Sequence, residues 1–164
     1  MKILGIDPGL NITGYGLLDC GKGEERIIEA GVIRTKRNAA MEDRLKELAD
    51  GLGDIINQLR PDAAAVEDLY SHYDHPKTAI IMGHARGIVF LKAAEAGIPV
   101  YPYASTRIKN SLTGNGRASK RQMQMMIVST FGMREIPEPP DIADALAVAL
   151  CHSRVEAQKA TVAG

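Results

Sequence analysis

Lys2-Ile3-Leu4-Gly5-Ile6-Asp7-Pro8-Gly9 is apolar almost throughout, ends in a carboxylate and turns at once. Ile3, Leu4 and Ile6 put apolar side chains on both faces of an extended segment, the pattern of a central strand in a sheet covered by helices. Pro8-Gly9 stops the strand. A charge at the end of such a strand costs several kcal/mol to desolvate unless something compensates it, and a bound metal ion would do so. Asp is also common at turn starts, so the stretch by itself leaves Asp7 as either a turn cap or a ligand.

Working outward, 164 residues make about one domain, with enough chain to bury a substantial core. Residues 1–154 are expected to form that domain and 155–164 a frayed tail. Twenty Lys plus Arg balance twenty Asp plus Glu, so no global basic field advertises a nucleic-acid partner, and any such surface must come from segregated charge. Cys20 and Cys151 have neither metal-type nor framework spacing, which reads as reduced thiols in a cytoplasmic protein. No leader-like segment and no run of about eighteen apolar residues is present, so the expectation is a chain that is neither exported nor membrane-spanning.

After the first turn, Thr13 to Asp19 and Arg26 to Thr35 read as strands linked by Gly21-Lys22-Gly23, which with the opening strand make an antiparallel meander. Met41 to Arg60 carries apolar residues at the spacing of one helical face. Pro61-Asp62 breaks it, and Ala63 to Glu67 is a short buried strand that again ends in acid. A helix between these strands fits a parallel crossover. Lys77 to Ala96 is helical, with Gly83 and Gly87 four apart. Two glycines on one face suggest close approach by another backbone, either the sheet or a partner subunit. Val100 to Ala104 makes the last strand, at or near an edge because Pro102 cannot donate to a ladder. Ser105 or Thr106 can cap a short helix to Leu112, Ser119 to Phe131 is another, and Asp141 to Arg154 is the last. The fold class expected is α/β, with a mixed five-stranded sheet flanked by helices.

The final helix opens Asp141-Ile142-Ala143-Asp144 and is otherwise apolar on nearly every side, hence buried. Its two aspartates share a face, and like charges that close destabilise each other unless a cation intervenes. The alternative is that Asp141 caps the helix and Asp144 is its first-turn companion. With Asp7 and Glu67 they make a set of carboxylates at the ends of buried segments, without a Cys or His cluster. Hard oxygen ligands suit Mg²⁺ or Mn²⁺, and two such ions are the usual arrangement for in-line displacement at phosphorus. The substrate signal is local: Gly97 to Arg134 has no acid but carries Arg107, Lys109, Arg117, Lys120, Arg121 and Arg134, a stretch that matches a phosphate backbone. Tyr70 and Tyr73, just after Glu67, could stack on unpaired bases or pack at the rim.

Gly5-Ile6-Asp7-Pro8-Gly9, Thr13-Gly14-Tyr15-Gly16, Ala65-Val66-Glu67-Asp68, Gly83-His84-Ala85-Arg86-Gly87 and the run from Asp141 to Leu150 together resemble the RuvC family of crossover junction endodeoxyribonucleases, from Lys2 to about His152. The resemblance implies a ribonuclease H-like fold, a homodimer, and Mg²⁺-dependent symmetric nicking of four-way (Holliday) DNA junctions in recombination and repair, with a RuvAB-type branch-migration complex as a possible partner. Asp7, Glu67, Asp141 and Asp144 fall on the family's metal-binding acids and imply two ions. Lys109 and Lys120 fall on basic residues near the scissile phosphate, and Tyr70 on an aromatic that stacks on a junction base. Arg117 and Arg121 join the expected DNA-binding set. The Gly83–Gly87 segment falls on the dimer interface. Competing readings are an actin-like ATPase, which needs a second phosphate loop and a duplicated domain, another ribonuclease H-like nuclease, and a junction-binding protein with weak catalysis.

Overall fold

A computed structural model describes residues 1–21, 24–69 and 76–163. Strands β1 (Lys2–Asp7), β2 (Ile12–Gly21) and β3 (Glu24–Arg34) are followed by helix α1 (Met41–Leu59), β4 (Ala63–Glu67), α2 (Pro76–Glu95) and β5 (Val100–Tyr103). Helices α3 (Ser105–Thr113), α4 (Lys120–Phe131) and α5 (Asp141–Ala163) complete the chain. The sheet order is β3-β2-β1-β4-β5, with β1-β2-β3 antiparallel and β1-β4-β5 parallel. β1 therefore lies at the centre and β5, with Pro102, at an edge, as expected from a residue that cannot complete a ladder.

Alternation along β1 assigns its side chains to two cores. Ile3 packs with Leu18 and Ala65 under α3, α4 and α5, through Ile108, Leu112, Ile127, Leu146 and Leu150. Leu4 and Ile6 pack with Leu17 under α1 and α2, through Leu48, Leu52, Ile56 and Val89. Both faces are covered, which is why the strand is apolar on both.

Three expectations need correction. The last helix does not end at Arg154: α5 continues to Ala163, so residues 155–163 form a helix where a frayed tail was expected. That stretch holds neither Pro nor Gly, Val155 packs against the core, and Lys159 reaches Glu156 at 2.7 Å. The cap of α3 is Ala104, with no side-chain cap bond, so neither Ser105 nor Thr106 fills that place. Ser105 instead lines the same cleft as Glu67 and favours its ionised carboxylate. Ser119 stands outside α4 as its cap, in a reciprocal box with Gln122.

The paired glycines of α2 also resolve one alternative. Gly83 meets only the Leu69 side chain at 3.8 Å, and a Cβ on Gly87 would have nothing within 4 Å among the described residues. The sheet does not approach them. Ile80 and Leu91 flank them on the same helix at 60% and 51% exposure, so an apolar stripe is left open.

Candidate active site

The site lies at the carboxyl ends of β1 and β4, where the register puts two acids on the face that α5 covers. Ile3 and Ala65 belong to the core under α5. Asp7 and Glu67 follow them at even spacing and so point to the same side. The turn after Asp7 is closed by Thr13, whose hydroxyl donates to the Gly9 carbonyl at 2.6 Å and accepts from the Gly9 N–H at 3.2 Å.

Glycines bring α5 onto this end of the sheet. Gly14 is the partner of Asp7 in the β1–β2 register. A Cβ there would lie 2.1 Å from the carbonyl oxygen of Asp141, and one on Gly5 would lie 2.0 Å from that of Ala145. Helix backbone thus rests directly on strand backbone, and the Asp141–Asp144 turn is delivered beside Asp7.

The electrostatics are those of a carboxylate cluster short of positive charge. Asp7 is pushed up to about 8, first by burial and then by the charges of Asp144, Glu67 and Asp141, with Lys120 opposing. Burial also raises Glu67, followed by the Ser105 hydrogen bond, which lowers it, and the charge of Asp144, which raises it; Lys109 and Lys120 oppose the rise. The Lys120 ammonium donates to Asp144 Oδ2 at 3.0 Å. Burial works against that ammonium, but the Asp144 hydrogen bond and the charges of Asp144, Asp7 and Asp141 outweigh it and hold its pKa above the ordinary value.

Glu67, Asp144, Lys109 and Lys120 line one cleft of about 200 Å³ together with Ser105. The two lysines predicted near the scissile phosphate are therefore brought to the acids by α3 and α4. Arg117 and Arg121 are not. Arg117 is exposed on the turn between α3 and α4, with its N–H on the Asn115 side chain at 2.9 Å, and Arg121 lines a separate depression with Met125 and Met126. Tyr70 and Tyr73 lie outside the described residues.

Among the described residues no three His, Cys, Asp or Glu side chains are drawn close enough to ligate one ion as they stand. The donor set nevertheless fits a hard divalent cation: oxygens only, four acids against one bonded lysine, and a half-buried Asp7 whose ionisation a nearby positive charge would favour.

The family model described as crossover junction endodeoxyribonuclease RuvC matches residues 3–152. The chain belongs to the RuvC family. Among relatives of that name, the protein of Rhodopirellula baltica is 48% identical over 91% of this chain and 84% of its own length. That of Desulforamulus reducens is 44% identical over 94% of each. The structure of Thermus thermophilus RuvC in complex with Holliday junction substrate superposes with a TM-score of 0.90 at 32% identity, covering 97% of this chain and 96% of that one. The yeast mitochondrial Holliday junction resolvase Ydc2, at 14% identity and a TM-score of 0.70 over 95% of this chain and 79% of its own, shares the fold. The ribonuclease H-like fold is thus that of the RuvC structures, and the family is one of nucleases dependent on a divalent metal.

Sequence reasoning for this RuvC-family chain missed Ser105, because a hydroxyl at a helix start reads as a cap, and it missed the purpose of Gly14. The signal for Gly14 was present in the Thr13-Gly14-Tyr15-Gly16 alternation, whose glycines share the face that α5 covers.

Proposed function

We propose that this chain resolves four-way (Holliday) junctions in the cytoplasm during recombination and repair, as a homodimer that hydrolyses one phosphodiester in each of two strands of like polarity. Membership of the RuvC family supports the reading, and the Thermus thermophilus relative with its junction substrate supports the substrate class. The observation that carries it is the gathering of Asp7, Glu67, Asp141 and Asp144 around one end of the sheet, with Lys109 and Lys120 in the same cleft.

Asp7, Glu67, Asp141 and Asp144 would hold the metal, with Asp7, on the central strand, among the other three. Bound there, two divalent ions, Mg²⁺ with Mn²⁺ as a substitute, would supply an activated water and stabilise the leaving 3′ oxygen. Ser105, beside Glu67 in the cleft, favours the ionised carboxylate that a metal needs. Lys120 and Lys109 face the phosphate and oppose the charge that builds on it in the transition state. A nick with a 5′ phosphate and a 3′ hydroxyl is ligatable. Tyr70 supplies a stacking surface for an unpaired junction base, and Arg117 and Arg121 reach backbone farther from the cut.

The open face of α2 around Gly87, with Ile80 and Leu91, is the surface for the second subunit, where absent Cβ atoms allow helices to approach closely. A RuvAB-type branch-migration complex is the partner class that would load such a dimer. Among the described residues no helix is long and apolar enough to cross a membrane.

The test is a synthetic four-way junction beside plain duplex and an RNA–DNA hybrid, with and without Mg²⁺, with nicks mapped to the nucleotide. Paired symmetric nicks in the junction alone are expected. Cleavage of the hybrid alone would make the chain another ribonuclease H-like nuclease, and binding without cutting would make it a junction-binding protein with weak catalysis.

A further inference from the structure

A second cleft, of about 410 Å³, opens at the same end of the sheet on the side of α1 and α2. Gly9 and Asn11 of the β1–β2 turn, Thr78 of α2, Arg37, Arg44 and Asp141 contribute to its lining. Asp141 faces this cleft and Asp144, three residues on, faces the Lys109–Lys120 cleft, so the first turn of α5 stands between them. The two clefts take their basic residues from opposite layers of the molecule.

Arg44 is held in place by neutral oxygens. Its Nε donates to Thr35 Oγ1 at 3.1 Å, and a terminal nitrogen donates to Asn11 Oδ1. Thr35 in turn donates to the Leu10 carbonyl at 2.5 Å, which ties the guanidinium to the turn that follows Asp7 and Gly9. Glu47 of α1 accepts the backbone N–H of Lys36 at 2.9 Å, and Asp141, the acid that lines this cleft, forms no ion pair with either arginine among the described residues. Among the described residues neither Arg37 nor Arg44 forms an ion pair with a carboxylate. The segment from Ala30 to Met41 has no acid and carries Arg34, Lys36 and Arg37, a second basic stretch outside the one between Gly97 and Arg134. A pre-oriented guanidinium without a carboxylate partner, one layer from a phosphodiester-cutting site, matches a phosphate oxygen in charge and geometry.

We propose that Arg37 and Arg44 form a second phosphate-binding subsite for the strand being cut, flanking the catalytic acids on the side opposite Lys109 and Lys120. The inference rests on the junction-nuclease reading above. The cut strand would then be gripped on both sides of the scissile phosphate, by Arg44 anchored on Thr35 and Asn11 and by exposed Arg37 beside it. A purely structural role, fastening the β1–β2 turn to α1, would account for the bonds of Arg44 but gives Arg37 nothing to do.

The experiment measures junction affinity without divalent metal for the wild type, Arg37→Ala, Arg44→Gln, the double variant and Lys109→Ala. The junctions carry a single uncharged methylphosphonate at successive positions on either side of the cut. Arg44→Gln keeps a donor for Asn11 and Thr35, and exposed Arg37 can be truncated without touching the core. Expected are a loss of about tenfold in affinity at low salt for the double variant and a log–log salt slope shallower by roughly 0.9 for each phosphate contact removed. One methylphosphonate that weakens the wild type should cost the double variant nothing further, at a position across the scissile phosphate from the one coupled to Lys109. An unchanged salt slope, or methylphosphonate penalties identical to the wild type, in variants that still cut junctions would overturn the subsite alone. Coupling on the same side as Lys109 would overturn its placement. A wild-type chain that neither binds nor cuts the junction would overturn the nuclease reading and the subsite with it.

Discussion

Helix α5 carries polar side chains at two places in its buried length, and the fold treats them in opposite ways. At His152 the ring is almost fully buried, yet its Nδ1 shares a hydrogen bond of 2.6 Å with the Tyr103 hydroxyl and its face stacks on Tyr101 with centroids 4.2 Å apart. Burial lowers the His152 pKa, which favours the neutral ring, and the Tyr103 hydroxyl satisfies its Nδ1. At Asp141 and Asp144 the same helix presents carboxylates to two others, and among the described residues Lys120 alone forms an ion pair with any of the four. One end is satisfied within the chain and belongs to stability. The other is left wanting a cation, which belongs to function.

The largest effect should come from neutralising the unsatisfied end. Asp7→Asn keeps the size of the side chain and removes the charge shared with Glu67, Asp141 and Asp144; junction nicking is expected to fall by about three orders of magnitude, while junction binding persists. Nicking near the wild-type rate in Mg²⁺ would remove Asp7 from the metal site. Gly14→Ala comes next. Its Cβ would sit 2.1 Å from the Asp141 carbonyl oxygen, and backbone cannot yield as a flexible side chain does. The first turn of α5 must move, with an expected loss of about a hundredfold in nicking from misplaced ligands and a fall in stability of about 3 kcal/mol. Wild-type nicking and melting together in this variant would show that the close packing of α5 is not what places Asp141.

The third effect is one of pH, read by melting metal-free protein. Asp7 rises from an ordinary value of 3.8 to about 8 in the fold, chiefly by burial and then by the neighbouring acids. The folded state therefore holds this proton more tightly than the unfolded chain. Stability from it is complete below about pH 4 and is lost as pH rises towards 8. Wild-type melting temperature should drop across that window, and Asp7→Asn should drop less, ending more stable than wild type at pH 8 by about 2 kcal/mol. Added Mg²⁺ should recover the wild type and leave the variant unmoved. Parallel pH profiles for the two proteins would mean that the acids are already compensated.

How far each end was legible follows from the range of its signal. Asp7 and Glu67 stand out because an apolar strand that ends in acid is a pattern within a few residues, and Asp141 with Asp144 because helical spacing puts them on one face. The antiparallel pairing of the β1-β2-β3 meander and the edge position of β5 were legible for the same reason, through turn residues and Pro102. The bond between Tyr103 and His152 joins residues 49 apart, and nothing local to either predicts it. The alternation of Gly14 and Gly16 marks a face with room for close approach, but that α5 is what lies on it is a contact between segments more than a hundred residues apart. The extension of α5 to Ala163 was missed because a last stretch ending Ala-Gly resembles a frayed tail until Val155 finds the core and Lys159 comes within 6.0 Å of the Tyr101 ring.

The satisfied end supplies the smallest effect and the sharpest contrast. Tyr103→Phe removes one hydroxyl, leaves the ring in its place beneath α5, and strands a ring nitrogen of His152 where water has little access. Removing one partner of a buried hydrogen bond exposes the desolvation cost of the other, about 1–2 kcal/mol here, which in a chain of this length lowers the melting temperature by roughly 2–4 °C for each kcal/mol. Nicking at 25 °C should stay within about twofold of wild type, since Tyr103 pairs with Glu67 through the β4–β5 ladder, which the substitution leaves intact. The comparison would break in an informative way if nicking fell while melting did not. The Tyr103–His152 bond would then be setting the register of α5 against β5, and the satisfied end of the helix would be a positioning device for the acids two to three turns away.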